Sequence, residues 1–210
     1  MTVREAYQHW AETYDDDVNL TRDLDQDVTQ RVLAHIPASA ILELGCGTGK
    51  NTAWLAQRGV PLLALDFSPA MLDHARSKVQ ADHVTFVLAD LTQAWNVPDR
   101  SVDLIVCNLV LEHIENLDHV FSQAARCLQD GGHFFISELH PFKQYRGTKA
   151  RYQHDDQQIE ITAFIHHISD FLYAAERAGM KLNKLNEWWH EQDQNSVPRL
   201  LSLLFVKDRN

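Results

Sequence analysis

A glycine-rich junction near residue 45 constrains the fold more than any other part of this chain. The apolar run 41–44 is followed by three glycines at alternate positions, Gly45, Gly47 and Gly49, and then by the apolar segment 52–56. This pattern predicts a buried strand that turns sharply into a helix. Alternate glycines permit unusual backbone torsions and remove the Cβ atoms that would keep a ligand away. A flat ligand is therefore expected to lie directly on this backbone.

Two kinds of glycine-rich turn compete for this segment. The dinucleotide fingerprint G-x-G-x-x-G places a pyrophosphate at a helix N-terminus, but here Lys50 stands where that fingerprint requires its third glycine. Glu43 precedes the first glycine by two residues, and the resulting E-x-G-x-G-x-G pattern resembles motif I of the class I S-adenosylmethionine-dependent methyltransferases. The resemblance implies that Glu43, Cys46 and the three glycines contact the cofactor. Taken alone, the turn is also compatible with a tight strand-to-helix connection that binds nothing.

Asp66 ends a second apolar run, 62–65. A carboxylate at the carboxyl end of the strand that follows a glycine loop is suited to accept both ribose hydroxyls of an adenosyl group. The next residues, Ser68-Pro69, are typical of a helix N-cap followed by proline at the first helical position. An alternative for Asp66 is therefore that it only favours this helix start.

Three more segments resemble motifs of the same family. They are the D-x-S-x-x-M pattern that begins at Asp66, the acid after the third apolar run 84–88, and the end of the fourth run 102–107. In the family the third acid binds the adenine amino group, and the amide of the next residue meets a ring nitrogen. The resemblance thus implies cofactor contacts from Phe67, Met71, Asp90, Leu91 and Asn108.

The N-terminal segment is predicted to be a helical lid. Residues 10–15 resemble the leading segment of the family, and Tyr7, Trp10 and Tyr14 fall on one face of a helix. We predict that residues 1–38 cover the site, with Tyr7 touching the substrate and Tyr14 the cofactor. The alternative is that this aromatic face merely packs on the sheet.

Strands and helices alternate between residues 39 and 138, which predicts parallel βαβ units with right-handed crossovers. The expected fold is α/β: a doubly wound, seven-stranded, mostly parallel sheet with an antiparallel last strand, the Rossmann-like architecture that the resemblance implies. Residues 39–138 would form the cofactor-binding core, 141–165 a substrate-side insertion, and 166–210 a C-terminal helix and strands. A chain of 210 residues fits a single domain, 1–210.

The chemistry implied is an in-line displacement in which an acceptor atom takes the methyl group and S-adenosylhomocysteine leaves. A hydroxyl acceptor needs a base, and histidine is the natural candidate near neutral pH. His140 is the preferred base and His113 the second, since both follow predicted strand ends; His140 alternatively only shapes the pocket. Further substrate contacts are predicted from Tyr145, Arg146 and His167. The twelve histidines contain no H-E-x-x-H motif or compact cluster, so no metal site is expected.

The net charge of −10 disfavours nucleic acid as a partner, because nucleic-acid-binding proteins usually carry a basic surface. The predicted acceptor is a small molecule, and the chain looks closest to the type 11 group that includes ubiquinone and menaquinone biosynthesis methyltransferases. Alternatives are an RNA or protein methyltransferase, or a protein that binds S-adenosylmethionine without transfer. No apolar stretch reaches the length of a membrane span and no signal peptide opens the chain, so a cytoplasmic location is expected. The protein is expected to be a monomer or a homodimer.

Overall fold

The computed structural model describes residues 3–15, 19–148, 151–154, 157–193 and 196–209. The helices are α1 (Val3–Trp10), α2 (Leu20–Leu33), α3 (Lys50–Leu55), α4 (Pro69–Lys78), α5 (Leu117–Cys127), α6 (Pro141–Tyr145) and α7 (Ile168–Arg177). The strands are β1 (Ile41–Leu44), β2 (Leu62–Asp66), β3 (Val84–Leu88), β4 (Val102–Asn108), β5 (Leu128–Leu139), β6 (Arg151–His154), β7 (Gln157–Glu160), β8 (Met180–Trp188) and β9 (Leu200–Lys207). Within those ranges, none of the helices is both long and apolar enough to cross a membrane.

Seven strands form one sheet in the order β3-β2-β1-β4-β5-β9-β8, and β6 pairs with β7 in a separate hairpin. β9 runs antiparallel to both of its neighbours, β5 and β8, whereas the pairs among β1 to β5 are parallel. This confirms the predicted mostly parallel sheet with an antiparallel last strand. The chain leaves β1 toward β2 and later returns on the other side to β4, so the strand order reverses between β1 and β4. A crevice opens at the carboxyl ends of strands at such a switch.

Register brings two functional segments side by side at this crevice. Leu44 lies opposite Cys107, so the glycine loop after β1 and Asn108 at the end of β4 are neighbours. On one face of the sheet, Phe121 of α5 packs edge-on against Phe134 of β5 and Phe205 of β9, with ring centroids 5.3 and 5.4 Å apart. All three rings are fully buried, and burying such a side chain contributes about 2–3 kcal/mol. The strand ends therefore rest on a rigid core.

The N-terminal segment differs from the single helical face predicted for it. Helix α1 ends at Trp10, and Tyr14 lies in the turn that follows. The rings of Tyr7, Trp10 and Tyr14 nevertheless cluster, with centroids 4.7 to 6.3 Å apart. Ile161 packs against them from the segment after β7. The turn after α1 therefore brings Tyr14 next to Tyr7 and Trp10, although the three residues do not share one helix.

An ion-pair network anchors the C-terminal part of the chain to α2. The carboxylate of Asp193 receives hydrogen bonds from Lys143 Nζ at 2.9 Å and from Arg199 at 2.8 and 2.9 Å. Arg199 also donates to Thr21 Oγ1 at 3.1 Å. These charge-assisted bonds hold the pKa of Asp193 at about 2, against a desolvation effect that raises it. The network fixes the start of the helix that carries Arg22 and Asp25.

Replacing Asp193 with asparagine is expected to lower the free energy of unfolding at pH 7 by about 2 kcal/mol. The folded-state pKa of about 2 lies below the ordinary value of 3.8, so the stabilisation is fully present above pH 4 and is lost as the pH falls toward 2. Urea denaturation of wild type and Asp193→Asn at pH 7 and pH 3 measures the free energy of unfolding. The difference in this free energy between the two proteins should be smaller at pH 3, and this gap is the quantity to compare. A gap that stays constant would contradict the assignment to this carboxylate.

Candidate functional site

A cavity of about 510 Å³ lies at the carboxyl ends of β1, β2 and β4, which is the size of a typical small-molecule site. Tyr7 and His113 line it, as do these residues predicted to touch a cofactor: Tyr14, Gly45, Gly47, Asp66, Phe67, Met71, Asp90, Leu91 and Asn108. A smaller second cavity adjoins it behind the glycine loop, and its lining includes Glu43 and Cys46. Most of the predicted cofactor residues therefore converge on one place.

The glycine loop lets the backbone form the floor of both cavities. Gly45 has a φ of 67°, and a Cβ atom there would lie 2.2 Å from Cγ2 of Val110. Gly47 has a φ of 53°, and a Cβ atom there would meet no protein atom within 4 Å. Gly45 is thus required by packing within the protein, whereas the space beside Gly47 is open to a ligand.

Asp66 lines the main cavity and is held there by backbone amides. Its Oδ2 accepts the amide of Gly47 and its Oδ1 accepts the amide of Ser68, both at 2.9 Å. Its exposed fraction is 5%, and burial raises its pKa while these amide donors lower it. The helix cap considered for Asp66 is supplied by Ser68, whose hydroxyl accepts the amide of Met71. Each carboxylate oxygen can accept more than one hydrogen bond, so Asp66 can still receive donors from the cavity.

Asp90 lines the main cavity and not the second one. Its Oδ1 accepts the amide and the hydroxyl of Thr92, at 3.0 and 2.7 Å. Arg4 of α1 lies close to it, with its guanidinium 3.8 Å from Asp90 Oδ2 and 5.9 Å from the ring of Phe67. An aromatic ring beside a carboxylate suits a flat ligand that carries an amino group.

The second cavity is lined by groups of both charges. Burial raises the pKa of Glu43 to about 8, although the hydroxyl of Thr52, 2.6 Å away, opposes this. Glu43 therefore keeps its proton at neutral pH. Arg22 and Lys50 supply positive charge; the Arg22 guanidinium lies 4.0 Å over the ring of Tyr14 and donates to the Tyr14 carbonyl. This cavity suits the polar, charged end of a ligand.

His113 and Tyr7 form a hydrogen-bonded pair in the main cavity. His113 Nδ1 lies 2.9 Å from the carbonyl of Thr162, which can only accept, so Nδ1 carries the proton in the neutral ring. Nε2 is then an acceptor, 2.9 Å from the hydroxyl of Tyr7. Burial raises the pKa of Tyr7 well above its ordinary value, so its hydroxyl stays protonated. Tyr7 therefore donates its hydroxyl hydrogen to Nε2 of His113.

The turn that carries His113 is held by a buried carboxyl group. Oε1 of Glu138, at the end of β5, accepts the amides of Val110 at 2.9 Å and Leu111 at 2.8 Å. Glu112 is also buried, and its Oε1 lies 3.8 Å from His113 Nε2. A positive charge that formed on the imidazole would therefore lie beside a carboxyl group.

Five residues singled out from the sequence lie away from both cavities. Gly49 is the N-cap of α3, where a Cβ atom would lie 3.1 Å from Cα of Ala75. Both ring nitrogens of His140 are used in the structure: Nδ1 accepts the amide of Phe142, and Nε2 lies 2.9 Å from Glu187 Oε1. His140 is completely buried and caps the start of α6, away from any acceptor in the cavities. The others, Tyr145, Arg146 and His167, are exposed around α6 and the start of α7.

Sequence reasoning missed four charged residues that line the cavities: Arg4, Arg22, Asp25 and Lys50. The first three lie on α1 and α2 and reach the cavities because these helices fold back over the strand ends. Asp25 is only 3% exposed, and the burial of a single carboxylate is not visible in a polar sequence pattern.

The chain matches a family model and is similar to several known proteins. A family model described as a methyltransferase domain matches residues 42–136, which span β1 to β5. The chain is similar to an uncharacterized methyltransferase of Emericella nidulans, with 30% identity over 98% of this chain and 85% of that protein. It is also similar to a malonyl-[acyl-carrier protein] O-methyltransferase of Serratia marcescens, 31% identical over 65% of this chain and 52% of that protein, so it spans about half the length of that relative.

Among solved structures, the N-methyltransferase NodS of Bradyrhizobium japonicum, determined with S-adenosyl-L-homocysteine, superposes with a TM-score of 0.75. The alignment covers 100% of both chains at 16% sequence identity. At this identity the likeness shows a shared fold, and it extends beyond the segment that the family model matches.

Proposed function

Because the chain belongs to the class I methyltransferases of the type 11 group, we propose that its two cavities hold S-adenosylmethionine and that it transfers the methyl group to a small molecule. The arrangement that supports this most strongly is the convergence of Asp66, the open backbone at Gly47 and Asn108 on one crevice. These groups come from three different strand ends, so a simple strand-to-helix turn does not account for them.

The described side chains match the chemical groups of such a cofactor. Asp66 offers carboxylate oxygens for the ribose hydroxyls, and Phe67 with Asp90 suits the adenine ring and its amino group. The charged methionine end fits the second cavity, whose lining includes the cationic Arg22 and Lys50. Arg22 donates to the Tyr14 carbonyl and Lys50 pairs with Asp23 at 2.7 Å, and each side chain has more than one N–H donor. Bound in this way, S-adenosylmethionine supplies an electrophilic methyl group on a positively charged sulfur.

The Tyr7–His113 pair provides a route for the acceptor's proton. In this proposal the acceptor hydroxyl or amine donates to the oxygen of Tyr7 while the Tyr7 proton passes to His113 Nε2, 2.9 Å away. The carbonyl of Thr162 keeps the imidazole in the required tautomer, and Glu112 stabilises the imidazolium that results. The pair replaces His140 as our proposed base, because it lines the cavity and His140 does not.

A small acceptor is supported by the enclosure of the site and by the charge of the chain. Helix α1 covers the cavity: Tyr7 spans to His113, and Gln8 accepts from Ser68 Oγ at 3.2 Å. The relatives named above include one that acts on a malonyl group attached to a carrier protein, which is a small group presented to the site. The net charge of −10 gives no support to an RNA acceptor.

Calorimetric titration with S-adenosylmethionine and S-adenosylhomocysteine tests the cofactor part of the proposal. We expect dissociation constants near the micromolar range, or about −8 kcal/mol. A folded protein that binds neither ligand would overturn it. The acceptor part is tested with a radiolabelled methyl donor and panels of small hydroxyl, amine and carboxylate compounds, beside bulk tRNA. Transfer to tRNA alone would overturn the small-molecule assignment.

With an acceptor in hand, His113→Gln is expected to lower kcat about 100-fold, because glutamine can hydrogen-bond but cannot take up a proton near neutral pH. The dissociation constant for S-adenosylhomocysteine should remain within about threefold of wild type. His35→Gln, in an exposed position after α2, is the matched control. An unchanged kcat in His113→Gln would contradict the role of His113 as proton acceptor.

A further inference from the structure

Asn108 occupies the junction of the two cavities at the end of β4. Its amide nitrogen has two hydrogens, and both are already used. Nδ2 donates to Asp25 Oδ1 at 2.8 Å and to Thr29 Oγ1 at 2.7 Å. The hydroxyl of Thr29 donates its own hydrogen to the backbone carbonyl of Asp25 at 2.8 Å, so its oxygen is left as an acceptor.

This pattern determines the orientation of the Asn108 amide. If the group were reversed, its oxygen would face the oxygen of Thr29, whose hydrogen is already used, and both N–H groups would lose the acceptors that Asp25 and Thr29 provide. The nitrogen therefore faces α2, and Oδ1 points to the other side. That oxygen is buried and has no hydrogen-bond donor among the described residues. A buried acceptor without a donor costs about 1–3 kcal/mol, so a ligand that supplies a donor is stabilised there.

The second cavity offers several further acceptors next to this oxygen. Asp25 Oδ2 receives Nδ2 of Asn51 at 3.1 Å, and Asn51 Oδ1 is also buried without a donor among the described residues. Asp25, Asn51 and Glu43 all line this cavity. A group with several N–H donors and a positive charge fits such surroundings, and the α-ammonium group of the cofactor has three N–H donors.

We propose that Asp25 and Thr29 are positioning residues: together they fix the amide of Asn108 so that its Oδ1 accepts a hydrogen bond from the α-ammonium group of the cofactor. The inference rests on the proposed function, since it requires S-adenosylmethionine in the two cavities. It assigns a binding task to α2, which lies outside the segment 42–136 matched by the family model.

The test compares two ligands that differ only at the ammonium group: S-adenosylhomocysteine and its deaminated analogue, in which hydrogen replaces that group. Wild type should prefer S-adenosylhomocysteine by about 30-fold or more. Thr29→Val removes the acceptor while keeping the side-chain shape, and it should weaken S-adenosylhomocysteine about tenfold without changing affinity for the analogue. Thr29→Ser keeps the hydroxyl and should bind both ligands as wild type does.

Asp25→Asn is the second variant and should show the same selective loss. Retained binding of the analogue proves in each case that the variant is folded and that the adenosyl end of the site is intact. Equal weakening of both ligands would show a merely structural role, and no change in either would show no role; each result overturns the inference. If wild type binds both ligands equally, the ammonium assignment fails and the proposed function stands. If wild type binds neither, the proposed function itself fails.

Discussion

Replacing Asp66 with alanine is expected to weaken binding of S-adenosylhomocysteine at least 100-fold, or about 2.7 kcal/mol. The substitution removes the two oxygens that we assign to the ribose hydroxyls, and hydrogen bonds to charged groups contribute about 1.5–3 kcal/mol each. It also removes the acceptor that holds the amide of Gly47, so the glycine loop loses its anchor to β2. Isothermal titration calorimetry measures the affinity, and circular dichroism checks that the fold is retained.

Two controls make the Asp66 experiment specific. Asp73→Ala, on the exposed side of α4, removes the same group from a side chain that is 76% exposed and should leave affinity unchanged. Asp66→Asn keeps one acceptor oxygen and should fall between wild type and Asp66→Ala. Equal affinities in Asp66→Ala and Asp73→Ala would show that the carboxylate of Asp66 does not bind the ligand.

Replacing Gly45 with alanine is expected to lower the free energy of unfolding by about 2–4 kcal/mol and to weaken S-adenosylhomocysteine binding. A Cβ atom at Gly45 would lie 2.2 Å from Cγ2 of Val110, so the loop or the valine must move. The φ of 67° adds about 1–2 kcal/mol of strain for any residue with a Cβ atom. Urea denaturation measures the loss of stability.

A double-mutant cycle separates the collision from the strain. Val110→Ala removes the colliding methyl group, so the double variant should recover at least about 1 kcal/mol relative to the sum of the single changes. Gly47→Ala is the comparison for strain alone, because a Cβ atom there meets no protein atom within 4 Å. It should cost stability by about 1–2 kcal/mol. Strict additivity of Gly45→Ala and Val110→Ala would refute the contact between them.

The mostly parallel sheet and most of the residues predicted to line its crevice followed from local sequence patterns. Apolar runs that end in an acid or in glycines define the strand ends, and the topology of a doubly wound sheet brings these ends to one edge. Asp66 and Asn108 end strands and Asp90 comes shortly after one, so all three were predicted in this way, and all three line the main cavity. The position of each residue depends on where its own strand ends and on the topology of the sheet.

His140 shows what this reasoning leaves out. It directly follows β5, whereas His113 lies at the end of the turn after β4, and the pattern of strand ends favoured His140. The difference arises from their neighbours: Glu187 of β8 and the amide of Phe142 take both nitrogens of His140, whereas Thr162 and Tyr7 orient His113 within the cavity. Contacts between residues so far apart in sequence leave no periodic signal.

The sheet, the glycine floor and the acids at the strand ends follow from short-range patterns of polarity and backbone freedom in the chain. The residues that complete the site depend instead on how distant elements pack. Helices α1 and α2 fold back over the crevice and bring Tyr7 to His113 and Asp25 to Asn108, across more than eighty residues of chain. A hydrogen bond of this kind depends on the relative placement of two packed elements, which a local pattern does not encode.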